Sequence, residues 1–124
     1  MKNCYCGGER TFESCCKAIV DGEKKAISAE ELMRSRYSAH YIQDADYLVQ
    51  TTHLSTRKFH KKSDILQWSK SNTWLKLEII ASDETTVEFK AYYLDESLKA
   101  NVHHEKSTFV FENGNWFYVD GIFF

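Results

Sequence analysis

Residues 99–122 read Lys-Ala-Asn-Val-His-His-Glu-Lys-Ser-Thr-Phe-Val-Phe-Glu-Asn-Gly-Asn-Trp-Phe-Tyr-Val-Asp-Gly-Ile. Asn113-Gly114 divides this stretch. Both residues tolerate the positive φ that a two-residue type I′ turn demands, so the pair between two β-rich runs predicts a hairpin. Its arms are a long strand from about Lys99 to Glu112 and a final one from Trp116 to Ile122. Upstream the same period of two continues. Leu75, Leu77 and Ile79 alternate with Lys76 and Glu78, and Val87, Phe89, Ala91 and Tyr93 alternate in the next run. Period two marks strands with one buried face. The turns Ser82-Asp83-Glu84 and Asp95-Glu96-Ser97 join them, so four consecutive strands predict an antiparallel meander.

Before Thr73 the period is helical. Ser28 and Glu31 have the spacing of a capping box, and Ile27 and Leu32 that of a hydrophobic staple around it. Leu32, Met33, Tyr37, Tyr41 and Ile42 then form one apolar helical face to about Ile42. Asp44 is placed to cap a second short helix with Tyr47 and Leu48 inward. Residues 53–62 read as a loop or a broken turn. Ser63 is placed to cap a third helix to about Lys70 that buries Ile65, Leu66 and Trp68. Residues 17–27 read as a connector with a turn at Asp21-Gly22. Three helices followed by four strands define an α+β domain with helices packed on one face of a curved sheet.

The N-terminus carries a separate signal. Cys4, Cys6, Cys15 and Cys16 are the chain's four cysteines, in the pattern C-x-C-x8-C-C. Four thiolates at one point are a standard structural zinc site. Gly7 and Gly8 give the backbone freedom for a tight knuckle. Neighbouring side chains diverge in regular structure, so Cys15 and Cys16 share one ion only at a helix start or a turn. Disulfides, a redox pair and an iron–sulfur centre are the alternatives. Disulfides need an oxidising compartment, and Met1–Cys6 has no apolar run resembling a secretory signal. No stretch approaches the roughly 18 apolar residues of a membrane span. The expectations are therefore zinc, no membrane association and a cytoplasmic location. Residues 1–22 form the metal module and 23–124 the main domain.

The 124 residues suffice for one domain plus that module, and 43% hydrophobic with 15% aromatic residues can fill a core. A net charge of −2 argues against a dedicated nucleic-acid binder. Arg57, Lys58, Lys61 and Lys62 make 57–62 the one segment suited to phosphates, and it reads more simply as a solvated face.

Several segments together carry a resemblance. Leu32-Met33-Arg34-Ser35-Arg36-Tyr37-Ser38-Ala39, Asp46-Tyr47-Leu48, Thr51-Thr52-His53, Val87-Glu88-Phe89, His104-Glu105-Lys106-Ser107 with Phe109, and Gly114–Gly121 occur in an order that resembles the uncharacterised YchJ-type bacterial family. The cysteines resemble the SEC-C motif, which that family carries and which also ends the SecA translocation ATPase. Tyr5 and Gly8 stand where that motif usually has proline and serine. The resemblance implies a nuclear-transport-factor-2-like domain, a cone of curved sheet and three helices (a cystatin-like α+β roll). Such cones often bind small molecules, some relatives of the fold are isomerases or dehydratases, and the fold commonly dimerises through its sheet, so a homodimer is compatible by analogy.

On residue parity, His103, Glu105, Ser107, Phe109 and Phe111 share one face of their strand, and Trp116, Tyr118 and Asp120 share one face of the next. Glu105 and Asp120 are the candidate general bases, with Tyr118 or His104 as hydrogen-bond donor. Against this stands a structural role for Glu105, paired with Arg34 or Arg36 to fix helix against sheet. No glycine-rich phosphate loop, G-x-S-x-G elbow or HExxH is present. The leading expectation is a non-enzymatic binding or adaptor protein that contacts a protein or ribosomal partner through the cysteine knuckle. A small-molecule-binding protein or enzyme using the cone is the alternative, and nucleic-acid contact through 57–62 a second.

Overall fold

The computed structural model describes residues 3–124. The helices are α1 (Cys16–Val20), α2 (Ala29–Ile42), α3 (Ala45–Gln50), α4 (Leu54–Arg57) and α5 (Lys62–Ser71). The strands are β1 (Thr73–Ser82), β2 (Thr86–Leu94), β3 (Ala100–Glu112) and β4 (Asn115–Phe123). They form one antiparallel sheet in the order β1-β2-β3-β4, with α2 packed across it. The β3–β4 turn has φ 53° at Asn113 and 80° at Gly114, the left-handed pair of a type I′ hairpin.

Helix α2 starts where its cap predicts. Ser28 Oγ accepts from the Glu31 amide (3.1 Å), and the Glu31 carboxylate accepts from the Ile27 amide (3.1 Å). The staple does not form, because Ile27 is 77% exposed. Asp44 caps α3 through the Tyr47 amide (3.1 Å). Two expectations differ for the N-terminal and third helices. Residues 16–20 are helical rather than connector, in a run too short to display a period. The third long helix starts at Lys62 with Lys61 at its N-cap, so Ser63 lies inside it. Its most buried residue is Ser69, and Trp68 is 40% exposed.

Bulges decide the strand faces. In β1, Trp74 pairs with Tyr93 and Lys76 with Tyr92. Leu75 is the extra residue and turns outward, so Trp74 takes its place on the inner face beside the expected Leu77 and Ile79. In β4, Tyr118 pairs with Phe109 but Asp120 with Thr108. Val119 is the extra residue, and beyond it the faces exchange. The core lies between α2, α3 and the inner sheet face, and it includes Leu32, Met33, Tyr37, Leu48, Val87, Phe89 and Phe109. The open edge of β4 is covered by residues 51–53. The His53 amide donates to the Tyr118 carbonyl (2.7 Å), and the Tyr118 amide to that of Thr51 (2.8 Å). Pairing this way removes an unpaired edge beside the inward-facing Tyr118.

Among the described residues no helix is long and apolar enough to cross a membrane.

Candidate functional site

Two constellations carry chemistry. The first is the cysteine cluster. Cys15 is the N-cap of α1 and Cys16 its first residue, so the chain turns between them and both sulfurs face one point. A turn closed by the Gly7 amide on the Cys4 carbonyl (3.0 Å) presents Cys4 and Cys6 from the other side. Gly7 there has φ +88°, which a side chain would strain. All four sulfurs lie within 4.8 Å of one another, with Cys6–Cys15 at 3.8 Å and Cys15–Cys16 at 3.9 Å. Tetrahedral Zn–S bonds of about 2.3 Å set sulfurs about 3.8 Å apart, so the donor set fits such an ion. Electrostatics agrees. Hydrogen bonds from Cys16 and Cys6 push the Cys4 thiol down. Burial, with the neighbouring Cys6 and Cys4, pushes Cys15 up to about 11. Four thiolates this close ionise together only around a cation.

The knuckle is not a free appendage. Cys4, Cys6 and Cys16 are buried within the main core. Arg34 of α2 donates to the Cys6 carbonyl (2.7 Å) and is itself held by Glu30 (3.0 Å). The ring of Tyr5 stacks on Tyr41 at 3.9 Å and 12°. Tyr5, where the motif usually has proline, thus supplies a docking contact to α2.

The second constellation is a cavity of about 300 Å³ enclosed by α2, α5 and the inner sheet face. Its walls are largely apolar, with Met33, Trp68, Trp74, Phe89 and Phe123 among them. Glu105 lies in its floor and is 5% exposed. Three donors hold its carboxylate: His103 Nε2 on Oε1 (2.8 Å), and Ser107 Oγ (2.6 Å) and Tyr118 Oη (2.8 Å) on Oε2. Burial alone would lift the carboxyl. The bonds from His103, Ser107 and Tyr118 outweigh burial and hold it below the usual carboxylate range.

Of the sequence candidates, Glu105 and Tyr118 meet here. Asp120 does not, because the Val119 bulge turns it to the outer face, where it is exposed. Gly121 takes the inner position instead, and a Cβ there would lie 2.0 Å from Glu105 Oε2. His104 also faces outward and bonds Glu88 (2.8 Å). Its inward neighbour His103 is the donor. Parity had already placed His103 beside Glu105, which was the signal for this role.

The Glu105–arginine ion pair is absent among the described residues. Arg34 serves the knuckle. Arg36 Nη1 donates to the Leu48 carbonyl (2.9 Å) and Thr51 Oγ1 (2.6 Å). The Arg36 guanidinium lies 4.6 Å above the Tyr118 ring, so that tyrosine stands between the two charges.

Sequence reasoning missed two further lining residues. Tyr37 is 2% exposed, and its hydroxyl is the one buried side-chain polar atom without a partner among the described residues. His40 Nδ1 is bonded to Ser69 Oγ (2.8 Å), and burial, with the nearby Arg36 charge, pushes its imidazole down to about 3. His40 is therefore neutral. Both residues sat within an apolar helical stripe that offered no sign of a cavity.

The basic run is partly engaged. Arg57 donates to the Thr52 (3.0 Å) and Gln50 (3.2 Å) carbonyls, and Lys62 pairs with Asp46 at 2.7 Å.

A curved meander under α2, with a four-cysteine knuckle docked on that helix, defines a nuclear-transport-factor-2-like cone bearing a SEC-C-type module. Residues 28–121 match the family model described as the YchJ middle NTF2-like domain. The chain is 41% identical to a UPF0225 protein of Vibrio vulnificus over 98% of this chain and 75% of that protein. It is 36% identical to one of Geobacter sulfurreducens over 95% and 77%. The solution structure of a SEC-C motif containing protein from Rhodopseudomonas palustris is similar at a TM-score of 0.90 and 32% identity, covering 98% of both chains. The crystal structure of one from Psychrobacter arcticus is similar at 0.73 and 28%, covering 89% of this chain and 71% of that one. The chain belongs to the YchJ-type, UPF0225 family.

Proposed function

We propose that this protein binds a small, largely planar organic molecule in the cone, and that a zinc ion held by Cys4, Cys6, Cys15 and Cys16 stabilises the domain. The observation that carries the reading is a cavity of about 300 Å³ with the aromatic walls Trp68, Trp74 and Phe89 and the bonded Glu105, His103 and Tyr118 in its floor. Aromatic walls above a polar floor are the usual composition of a small-molecule site. Zinc has a structural role here, because all four positions are protein thiolates and none is left for water or substrate.

The test is a screen of planar aromatic and heteroaromatic fragments by two-dimensional NMR, with metal analysis alongside. Hits are expected to move the Trp68 and Trp74 indole signals, and Trp68→Ala is expected to weaken them. A panel that leaves both indoles unmoved contradicts the pocket reading. Iron in place of about one zinc per chain contradicts the metal assignment.

A second reading keeps the knuckle as an adaptor for a protein or ribosomal partner. It is favoured by the exposed rim formed by Glu9, Arg10, Glu13 and Ser14, away from the buried cysteines. Partners recovered equally by the wild type and by an Arg10→Ala, Glu13→Ala variant would count against that rim.

A further inference from the structure

Arg36 is a buried cation, 9% exposed, in the wall of the cone cavity. One of its nitrogens anchors the guanidinium. Nη1 donates to the Leu48 carbonyl (2.9 Å) and to Thr51 Oγ1 (2.6 Å), with Thr52 Oγ1 at 3.5 Å. The Tyr118 ring lies 4.6 Å from its central carbon and fixes the plane. Nε and Nη2 have no partner among the described residues. Neither is sealed, because Tyr37 Oη is the one fully enclosed side-chain polar atom without a partner among those residues. Both therefore keep accessible surface, and the space that Arg36 lines is the cone cavity. The charge is felt around that space. Burial, and after it the Arg36 charge, lowers the pKa of His40 and of His60, which line the cavity from α2 and from the turn before α5. Nε–H and one Nη2–H run parallel, and that edge is the fork with which a guanidinium holds a carboxylate through two bonds.

No carboxylate pairs with this edge among the described residues. Burial lowers the Arg36 pKa, against the opposing influence of Tyr118, Tyr47 and Glu105. Both tyrosines are neutral at pH 7, because burial raises their pKas. Glu105 is committed to His103, Ser107 and Tyr118 and lies beyond the Tyr118 ring. Asp64, the other carboxylate lining the cavity, is exposed. An arginine stays protonated, and a buried cation without a partner is unfavourable.

We propose that the cone takes an aromatic monocarboxylate, whose two oxygens accept from Arg36 Nε and Nη2 while its ring lies among Trp68, Trp74 and Phe89. This rests on the pocket reading above and narrows its ligand from a planar molecule to a planar anion. Glu105 keeps its charge in the floor, which disfavours a second carboxylate on the ligand.

The probes are benzoate and 2-naphthoate, each beside its amide, which has nearly the same shape and no charge. Affinity is read by calorimetry and by the Trp68 and Trp74 indole signals. The wild type is expected to bind the better acid roughly 10–100-fold more tightly than its amide, the range of a hydrogen bond to a charged group. Arg36→Gln should bring acid and amide together, and Arg36→Lys should keep part of the preference, since lysine retains the charge without the fork. Lys61, the other lysine or arginine lining the cavity, is exposed, and Lys61→Gln should leave the preference in place. The unmutated protein gives a reading that no misfolded variant can obscure: the Arg36 Nε–H signal should move farther with the acid than with the amide.

Equal affinity for acid and amide, a preference that survives Arg36→Gln, or one lost through Lys61→Gln would each overturn the proposal and leave the pocket reading standing. An Arg36 Nε–H signal unmoved by the bound acid overturns it whatever the variants do. Failure of both acids to bind also overturns it, and the pocket reading falls with it only if the wider fragment panel leaves both indoles unmoved.

Discussion

At Gly121 the missing side chain leaves the space that the Glu105 carboxylate occupies. An alanine Cβ would lie 2.0 Å from Oε2 and 2.8 Å from Cγ. A loose glutamate could swing aside, but this one is held by His103, Ser107 and Tyr118. Gly121→Ala is therefore expected to destabilise the fold by about 1–3 kcal/mol, the usual range for overpacking, and to disturb the His103 and Tyr118 signals. Glu105→Gln in the Gly121→Ala background should add less than its cost alone, since the two positions share one contact. Fully additive urea-unfolding data would refute the shared contact. The Asp120-Gly121 pair was visible in the sequence, but parity assigned the inward place to the wrong member. One extra residue, Val119, exchanges the faces, and a bulge has no period of its own to betray it.

At the scale of elements, α2 is where the two halves of the chain meet. Its Arg36, Tyr37 and His40 reach the cone, while Arg34 and Tyr41 hold the knuckle. Arg34 fixes the carbonyl of Cys6, one of the four clustered cysteines, and such contacts beside a metal site commonly change metal affinity 10–100-fold. Arg34→Ala is expected to weaken zinc binding roughly 10-fold in competition with a chromophoric chelator, and Arg34→Lys less. Unchanged affinity would separate the helix from the metal module. The element order was legible because caps and alternation are local. Ser28, Asp44 and Asn113-Gly114 mark their boundaries correctly. The start of α5 was misplaced, because Lys61 occupies the N-cap without a side-chain bond, while Ser63 resembles a cap and is not used as one.

For the whole molecule, the buried titratable groups make stability depend on pH. His40 ties α2 to α5 through Ser69 and has its pKa depressed to about 3. The unfolded chain binds that proton near the ordinary value of 6.5, so this contribution is full above about pH 6.5 and is lost as the pH falls toward 3. Glu105 is also depressed, and its contribution is present above the unfolded carboxylate value and lost as the pH falls further. Both act in the same direction. The unfolding free energy from urea titrations should fall steadily from pH 7 to pH 4, by about 2–4 kcal/mol after allowance for the partial exposure of His40. His40→Asn should flatten the upper part of that curve, between pH 6.5 and 4.5. A wild-type midpoint constant from pH 7 to 5 would show His40 to be protonated in the fold.

The sequence by itself determined the sheet, its meander, the principal helix with its cap, the family and the four cysteines. Each of these is written in local spacing, which a period of two, a period of 3.6 or a ligand pattern exposes directly. Tertiary structure decided which residues face the cone. The Leu75 and Val119 bulges rotate faces without leaving a periodic trace. The Tyr118 ring keeps Arg36 from Glu105, so the expected ion pair gives way to a carboxylate bonded by His103, Ser107 and Tyr118. Tyr37 and His40 gain chemical meaning only when α5 and the sheet close a cavity around them, because burial and unsatisfied hydrogen bonds are properties of packing rather than of order along the chain.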